Sequence, residues 1–585
     1  MRVMKKYNIS LLVLAILLAS CGESFLYKNP QGSVDKESLT NPNGVELLVT
    51  NAYGVLTADN AWGATVFNWV FGGIYGGDAN KGSDSNDQSV LNTMEMYAPL
   101  PTNSYLNDKW VWVYKGSNRV NTALKIMAEV TDMPDKIKTI RTGELKFMRA
   151  LCYFEGVKVF GPMIPWVDET VVENNPLIAN DKNIYPLILA ELDEAIEKLP
   201  EVQDMPGRAN VWAAKALKAK VLMQMGKLKE AKPILADVIQ NGQTSNGLKY
   251  ELEDDLNANF DSFRDNGKES IFAVQFSADT NDKGNYGMGL CYPHGGAGNP
   301  GGCCGFYQPS NELANSFKVD ENGLPFLDKS YREGKMVSYL NPNPGKEDPM
   351  ALNNDVAVDP RLDFAIGRFG IPYKDWGEPK NNWVRDVSNG GFYMPKKHVY
   401  TRAEQDAGLA DGGLIAGWAP GSAMNLQYLS LRDCILLYAE CLAEDGELSA
   451  AMEQVNRIRE RAAHPKNIIM KDGKPAANYL VKPYPASHAA FSDKEICIKA
   501  IRMERKLELA MEGQRWFDLS RWGGTYMSKT LKEYVEFEKR FISKFASASV
   551  LSPEKTMFPL PDTQVLNMGV KEDGTPYLVQ PAPWQ

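Results

Sequence analysis

AKVLMQMGKLKEA (residues 219–231) and AECLAEDGELSAA (439–451) are two copies of one pattern. Ala219 is followed by Gly226, Leu228 and Ala231 at intervals of seven, two and three residues. Ala439, Gly446, Leu448 and Ala451 repeat those intervals, and Leu222 corresponds to Leu442. Each copy reads as helix, glycine turn, helix. The small alanines fall where two helices must approach closely. This is the physical signature of a tetratricopeptide-like helical hairpin. A single hairpin cannot bury its apolar face, so several must stack.

Outward from the first copy the chain stays helical. Residues 108–131 and 135–160 carry apolar positions three and four apart, and Gly161-Pro162 stops the second segment. The expected fold is mainly α, a scaffold of helical hairpins over roughly 45–250 and 423–530. A loop-rich insert with short strands, roughly 251–422, interrupts it. That insert is rich in Gly, Pro, Asn and aromatics, as in NYGMGLCYPHGGAGNPGGCCGFYQPS (285–310). Within it ESIFAVQFS (269–277) alternates like a strand. A second loop-rich stretch runs from Trp62 to Asn107. Loops on a rigid scaffold are where binding concentrates, and such long unstructured stretches are uncommon without a purpose. The 585 residues exceed the ~250–300 at which a single core stops growing, which also favours a modular fold.

The amino terminus carries an address. Arg2, Lys5 and Lys6 precede an apolar run from Ile9 to Ala19, followed by Leu18-Ala19-Ser20-Cys21. Basic, apolar, then small residues is the order of a secretory signal, and the run is shorter than the ~20 residues of a membrane-spanning helix. Leu-Ala-Ser-Cys resembles the bacterial lipobox. Residues 1–20 are therefore expected to be removed and Cys21 lipidated, with acyl chains anchoring the mature body 21–585. Glu23 is compatible with display on the outer face.

Composition narrows the chemistry. Hydrophobic residues make up 44% and charged residues 23%, which excludes a disordered or fibrous chain. The net charge of −9 without a basic block argues against nucleic acid, whose phosphates need clustered Lys and Arg. With only His294, His398, His464 and His488, no His-Glu-x-x-His or close pair exists for zinc. Neither a Gly-x-Ser-x-Gly elbow nor a Walker loop occurs. Gly296, Gly298 and Gly301 fit Gly-x-Gly-x-x-Gly only in letters, since Pro300 and the lack of a strand-turn-helix context deny a dinucleotide site. Asp78-Ala-Asn80 and Asp84-Ser-Asn86-Asp87 lack the position-12 Glu of an EF-hand, position 89 being Ser, and read as solvated turns. Paired glycosidase carboxylates have no fixed spacing, and nothing singles out one pair. Eight Cys less the lipidated one leaves an odd number. Cys152, Cys434, Cys441 and Cys497 read as core residues in helices. Cys303-Cys304 lies between Gly301-Gly302 and Gly305. A vicinal disulfide, two thiols, or separate pairing that includes Cys291 all stay open for it. If formed, a vicinal bond would present a rigid, flat sulfur surface able to abut a sugar.

Several segments together are similar to the SusD/RagB family of outer-membrane nutrient-binding lipoproteins. They are Trp110 to Asn121, Gly143 to Ala150 running through Tyr153-Phe154 to Phe160-Gly161, Leu431-Arg432-Asp433 with Tyr438-Ala439-Glu440, and Arg502 to Gly523. The last, RMERKLELAMEGQRWFDLSRWG, is the most specific. Asp78-Ala-Asn80-Lys81-Gly82 resembles the family's Asp-x-x-Lys-Gly loop. Phe558-Pro-Leu-Pro561 matches as well, while the tail Val579–Gln585 departs from the family's usual ending. The resemblance implies a non-catalytic surface lipoprotein. It would capture oligosaccharides on a loop-rich face and pass them to a SusC-like TonB-dependent barrel transporter. A peptide-binding relative is the main alternative, and a hydrolase on a helical scaffold a third. No cofactor or metal is implied.

Within 502–523, Arg505 with Glu508 and Glu512 with Arg515 stand three apart with opposite charge, an arrangement read as structural. For ligand contact, aromatic planes suit the C–H faces of sugars, while Asp and Arg suit their hydroxyls. The loop candidates are Trp62, Trp69, Tyr75, Asp78, Tyr292, Cys303, Cys304, Phe306, Tyr307, Arg368, Trp376, Trp383, Arg385 and Tyr393. Trp110, Trp112, Trp212 and Trp516 fall in helical segments and read as packing residues.

Overall fold

A computed structural model describes residues 36–57, 62–171, 176–279, 283–296, 298–340, 350–549 and 551–585. The signal segment, Cys21 and Glu23 lie outside the described residues. Among the described residues, no helix is long and apolar enough to cross a membrane.

Helices dominate. α1 (Pro42–Tyr53), α2 (Ser104–Glu129), α3 (Asp135–Phe160), α4 (Tyr185–Lys198), α5 (Val211–Gln224) and α6 (Leu228–Asn241) follow in order. Each packs on the next. Their starts are set by side-chain caps. Asn41, Asn103 and Asn210 accept the amides of Gly44, Tyr105 and Ala213, satisfying donors that have no helical partner. Gly161, at φ +79°, ends α3 in a conformation open to glycine.

The second half of the array comes from far along the chain. α7 (Leu431–Glu444) and α8 (Leu448–Ala462) form the second hairpin, with α9 (Lys494–Glu508) packed on both. α7 packs directly against α6. The two matching sequence copies are thus neighbours in space. Ala219, Ala231, Ala439 and Ala451 are all fully buried, as the close approach of helices requires. At the seam the Cys441 sulfur lies 3.4 Å from that of Met223, and Lys232 bridges to Asp445 and Glu447. The turns hinge on Gly226 and Gly446, at φ +72° and +84°.

The insert leaves and rejoins this array at one place. β2 (Ser270–Val274) pairs antiparallel with β6 (Leu426–Ser430), which runs straight into α7. Every residue of β2 is buried, so its alternation marks two covered faces. β1 (Ala79–Gly82) pairs with β3 (Phe306–Pro309), joining the early loop region to the glycine-rich segment. β4 (Ala410–Ile415) and β5 (Ala419–Ser422) form a hairpin. The 62–107 stretch is more ordered than a plain loop. Trp69–Ile74 makes a π-helical turn whose six residues are all buried.

The signature 502–523 corrects one expectation. Arg505 does not pair with Glu508, nor Glu512 with Arg515. α9 ends at Glu508, and α10 (Arg515–Arg521) begins only after Gly513 at φ +68°. The charges pair between elements instead. Arg505 binds Asp518 and Asp433. Glu508 binds Arg461 and Arg361, and Glu512 binds Lys397 and Arg432. All but the half-buried Glu512 are buried, and a desolvated charge needs partners wherever the fold supplies them. Within-helix pairs suit exposed faces. The signature therefore ties α7, α8, α9, α10 and the insert together. Trp110, Trp112, Trp212 and Trp516 are buried in the packed helices.

Candidate functional site

Two solvent-reaching aromatics of the insert, Tyr286 and Trp418, meet at Trp62. Its ring stacks on Tyr286, with centroids 4.3 Å apart at 22°. Trp418 lies 5.6 Å away at 52°. Trp418 is 52% exposed, while Trp62 and Tyr286 are half-buried. These residues come from three distant segments. Trp418 sits at the tip of the β4–β5 hairpin, just after Gly417 at φ +79°. Asn285 fastens that hairpin: its amide donates to the Ser422 carbonyl, and its side-chain oxygen accepts the Ser422 amide at 2.9 Å. Tyr286 follows immediately. Gly289 permits the closeness, because a Cβ there would stand 2.7 Å from Ile415 and 2.8 Å from the Trp62 ring.

Beneath this platform lies a buried aromatic layer. The Trp69 indole N–H donates to the Trp62 carbonyl at 2.6 Å. The Trp69 ring meets Phe306 and Tyr307 edge-on at 6.2 and 6.1 Å, an arrangement aromatic quadrupoles favour. Tyr292 packs on Tyr400 at 5.4 Å, and the Trp376 indole donates to the Tyr400 carbonyl at 3.0 Å.

Beside the platform runs the glycine-rich loop. The amides of Phe306 and Gly305 donate to the carbonyls of Leu290 and Tyr292. Cys303 and Cys304 are joined as a vicinal disulfide, whereas Cys291 is a free, buried thiol. Cys303 is half-buried and Cys304 buried. Arg385 stands next to Gly305, its Nη1 donating to Ser83 and to Asp87 at 2.7 Å and its Nη2 to Asp84 at 2.6 Å. Its side chain remains 38% exposed. The acids 84 and 87 are therefore engaged by a guanidinium. Among the described residues no cluster of three or more metal-ligating side chains forms.

Of the residues singled out in the sequence, Trp62, Cys303 and Arg385 reach solvent. The others are interior: Trp69, Tyr75, Asp78, Tyr292, Cys304, Phe306, Tyr307, Arg368, Trp376, Trp383 and Tyr393 are all buried. Trp69, Phe306, Tyr307, Tyr292 and Trp376 form the supporting layers. Trp383 packs on Tyr373 and accepts the His294 amide through its carbonyl. Arg368 is closed off by a two-point pair with Asp363 at 2.6 and 2.7 Å. Tyr393 offers its carbonyl to Gln308. Tyr75 packs on Trp516 and Phe558. Asp78 is enclosed, and burial pushes its carboxyl up to about 6 despite Arg515 and Lys506 nearby. Its companion Lys81 donates to the Asp84 and Asp87 carbonyls, so the Asp-x-x-Lys-Gly loop organises backbone.

Trp418 and Tyr286, the other two rings of the platform, are not among the loop candidates of the sequence. The signal for Trp418 was its setting in Gly-Gly-Leu-Ile-Ala-Gly417-Trp418-Ala-Pro, a tryptophan at a hairpin tip. Tyr286, between Asn285 and Gly287, opens a short 3₁₀ turn.

The helical scaffold and its insert recur in known proteins as one fold. A family model described as "SusD family" matches residues 268–571. The chain belongs to the SusD family. A second model, "Starch-binding associating with outer membrane", matches residues 43–223. SusD-like protein P2 of Formosa agariphila is 24% identical over 536 residues, covering 88% of this chain and 91% of the relative. A SusD-like protein of Bacteroides ovatus is 23% identical over 540 residues, covering 89% and 83%. Among solved structures, a "Laminarin binding SusD-like protein" superposes with TM-score 0.59 at 20% identity, covering 93% of this chain and 99% of its own. Surface glycan-binding protein A of Bacteroides thetaiotaomicron, solved with laminarihexaose, gives TM-score 0.61 at 17% identity, covering 92% and 99%. This SusD-family fold agrees with the helical-hairpin reading of the sequence.

Proposed function

We propose that this SusD-family protein is a lipid-anchored surface protein that captures an oligosaccharide and passes it, uncleaved, to a SusC-like TonB-dependent barrel. The Trp62–Tyr286–Trp418 platform carries the reading. It is the arrangement a sugar's apolar C–H face requires: aromatic planes held rigidly and open to solvent. The scaffold of 45–250 and 423–530 presents it where Trp62 of the early loop stretch meets the 251–422 insert. The laminarin named for two fold neighbours supports the ligand class, and the Leu-Ala-Ser-Cys21 motif supports the anchor.

The test is affinity electrophoresis of residues 22–585 through plant, microbial and host polysaccharides. The expected result is retardation by at least one glycan, lost in Trp62→Ala/Trp418→Ala, with the recovered glycan intact by chromatography. Shortened glycan would establish a hydrolase. Retardation by none, with peptide competition for the platform, would establish the peptide-binding reading. Pull-down of a large barrel in mild detergent tests the partner, and repeated isolation alone counts against it.

A further inference from the structure

A disulfide between adjacent residues closes no chain loop. The usual gain, restriction of the unfolded chain, is therefore absent for Cys303–Cys304. The loop is already fastened by other means. Asn299 donates to the His294 carbonyl and accepts the Gly302 amide at 2.8 Å, and Gly305 is bonded to Tyr292. What the disulfide adds is a surface. Two S–H groups are replaced by a polarisable sulfur pair that has no donor.

Its surroundings leave the Cys303 end of that surface partly open, while Cys304 is buried. Gly301, Gly302 and Gly305 adopt φ of +94°, +72° and +80°, which disfavours any larger residue, and none carries a side chain to shade the sulfurs. A Cβ on Gly305 would stand 3.1 Å from the Cβ of His294 and 3.8 Å from that of Arg385. The side chains of His294 and Arg385 thus both start beside the residue next to the sulfurs, with His294 Nδ1 3.2 Å from the Asn382 carbonyl. Among the described residues, three of the five Arg385 donors are engaged, by Ser83, Asp84 and Asp87. The aromatic platform is close. Gly289 lies against Trp62, Tyr292 is bonded to Gly305, and the three steps between them span at most about 11 Å.

We propose that the Cys303–Cys304 disulfide is a second sugar subsite: a pyranose ring rests its C–H face on the half-buried Cys303 end of the disulfide while His294 and Arg385 take its hydroxyls. The aromatic platform and the disulfide then bind successive parts of one oligosaccharide. The proposal rests on the glycan reading above and adds an extended binding strip to it.

The experiment compares the mature chain, Cys303→Ser/Cys304→Ser and Trp62→Ala/Trp418→Ala. The probe is an array of α-glucan, β-glucan, xylan, mannan, pectin and host oligosaccharides, each as a disaccharide and a hexasaccharide. Melting temperature is measured alongside. Should the serine variant not fold, the wild-type protein is treated with a phosphine. The phosphine supplies two electrons and water supplies two protons and the oxygen, so the disulfide becomes two thiols and the phosphine its oxide. The expected result is wild-type affinity that rises with ligand length. Loss or reduction of the disulfide weakens hexasaccharide binding about fivefold to tenfold, as one lost ring contact would. Disaccharide binding and melting temperature stay unchanged, and reoxidation restores the difference. Equal hexasaccharide affinity with and without the disulfide overturns the proposal and leaves the glycan reading standing. Equal weakening of both ligand lengths overturns it in favour of loop support. Absence of any wild-type binding overturns both.

Discussion

The indole N–H of buried Trp69 donates to the backbone carbonyl of Trp62 at 2.6 Å. One tryptophan in the core thus fixes the chain position of another at the surface. Replacing Trp69 by Phe keeps an aromatic ring but orphans that carbonyl. The expected loss of stability is about 2 kcal/mol, with weaker glycan binding although Trp69 is itself fully buried. Urea unfolding and affinity electrophoresis of Trp69→Phe check both. Unchanged affinity in a folded variant would show that Trp62 holds its place without the bond.

The hairpin turns give a second, simpler test. Gly226 and Gly446 have positive φ, and a Cβ on either would meet nothing within 4 Å. The cost of Gly→Ala there is backbone strain alone, about 1–2 kcal/mol each. Gly→Asn should cost less, since Asn tolerates this region. Thermal unfolding of the four variants reads the order. Equal losses for Ala and Asn would point to a side-chain clash instead.

The same two glycines show why the scaffold was legible. Their spacing to Ala219, Ala231, Ala439 and Ala451 is local, and local spacing dictates helix contacts. Exposure was not local. Trp62 and Trp69 are seven residues apart in one loop-rich stretch and of one residue type. Yet one half-faces solvent and the other is fully buried, because Tyr286, Phe306 and Trp418 arrive from over two hundred residues away. Aromatic richness in the insert reflected mostly its own core. Arg368 illustrates the same limit, since its partner Asp363, five residues back, consumes the guanidinium. Arg505 and Glu508 looked paired by helical spacing, but burial gave each a partner on another element.

The buried Arg505 cluster predicts a large loss. Its guanidinium makes a two-point pair with Asp518 at 2.9 Å for both bonds and reaches Asp433 at 2.8 Å. Arg505→Met leaves both carboxylates in the interior with a partner removed, at a cost of about 3–5 kcal/mol. Arg505→Lys recovers little, because an ammonium does not reproduce the planar fork. Denaturant titration checks this, and a loss under about 1 kcal/mol would place the cluster among exposed pairs in its energetics.

Acid sensitivity follows from the same network. Burial alone would raise the carboxyls of Glu508, Glu312 and Glu155. Arg461 and Arg361, Lys506 and Arg332, and Lys109 and Lys158 outweigh it and hold the three at about 2. A carboxyl depressed on folding contributes stability above its unfolded value of 4.5 that is lost as pH falls towards 2. Asp78 runs the other way. Held near 6 by burial, it binds its proton more tightly when folded, so it removes stability as pH rises from about 4 to 6. The urea midpoint of the wild type is expected to fall steeply below pH 4. Asp78→Asn should exceed the wild type at pH 7.5 and converge with it by pH 4. A constant difference between the two across that range would mean that Asp78 does not titrate in it.

Trp418 separates binding from folding. It is half-exposed at a hairpin tip, and its neighbour Gly417 takes the φ that the turn demands. Trp418→Ala removes a stacking plane without opening the core. Stability is expected to change by no more than about 0.5 kcal/mol, while affinity for the captured glycan falls about tenfold, the worth of one aromatic face. Trp418→Phe should retain most of it, because the plane survives. By contrast Trp383→Ala, which empties a buried site against Tyr373, should cost about 3–5 kcal/mol in stability. Isothermal titration of the two alanine variants, with melting curves beside them, reads the contrast. A Trp418→Ala protein that binds like wild type would move the site away from this platform, since Trp62 and Tyr286 alone offer only half-buried rings.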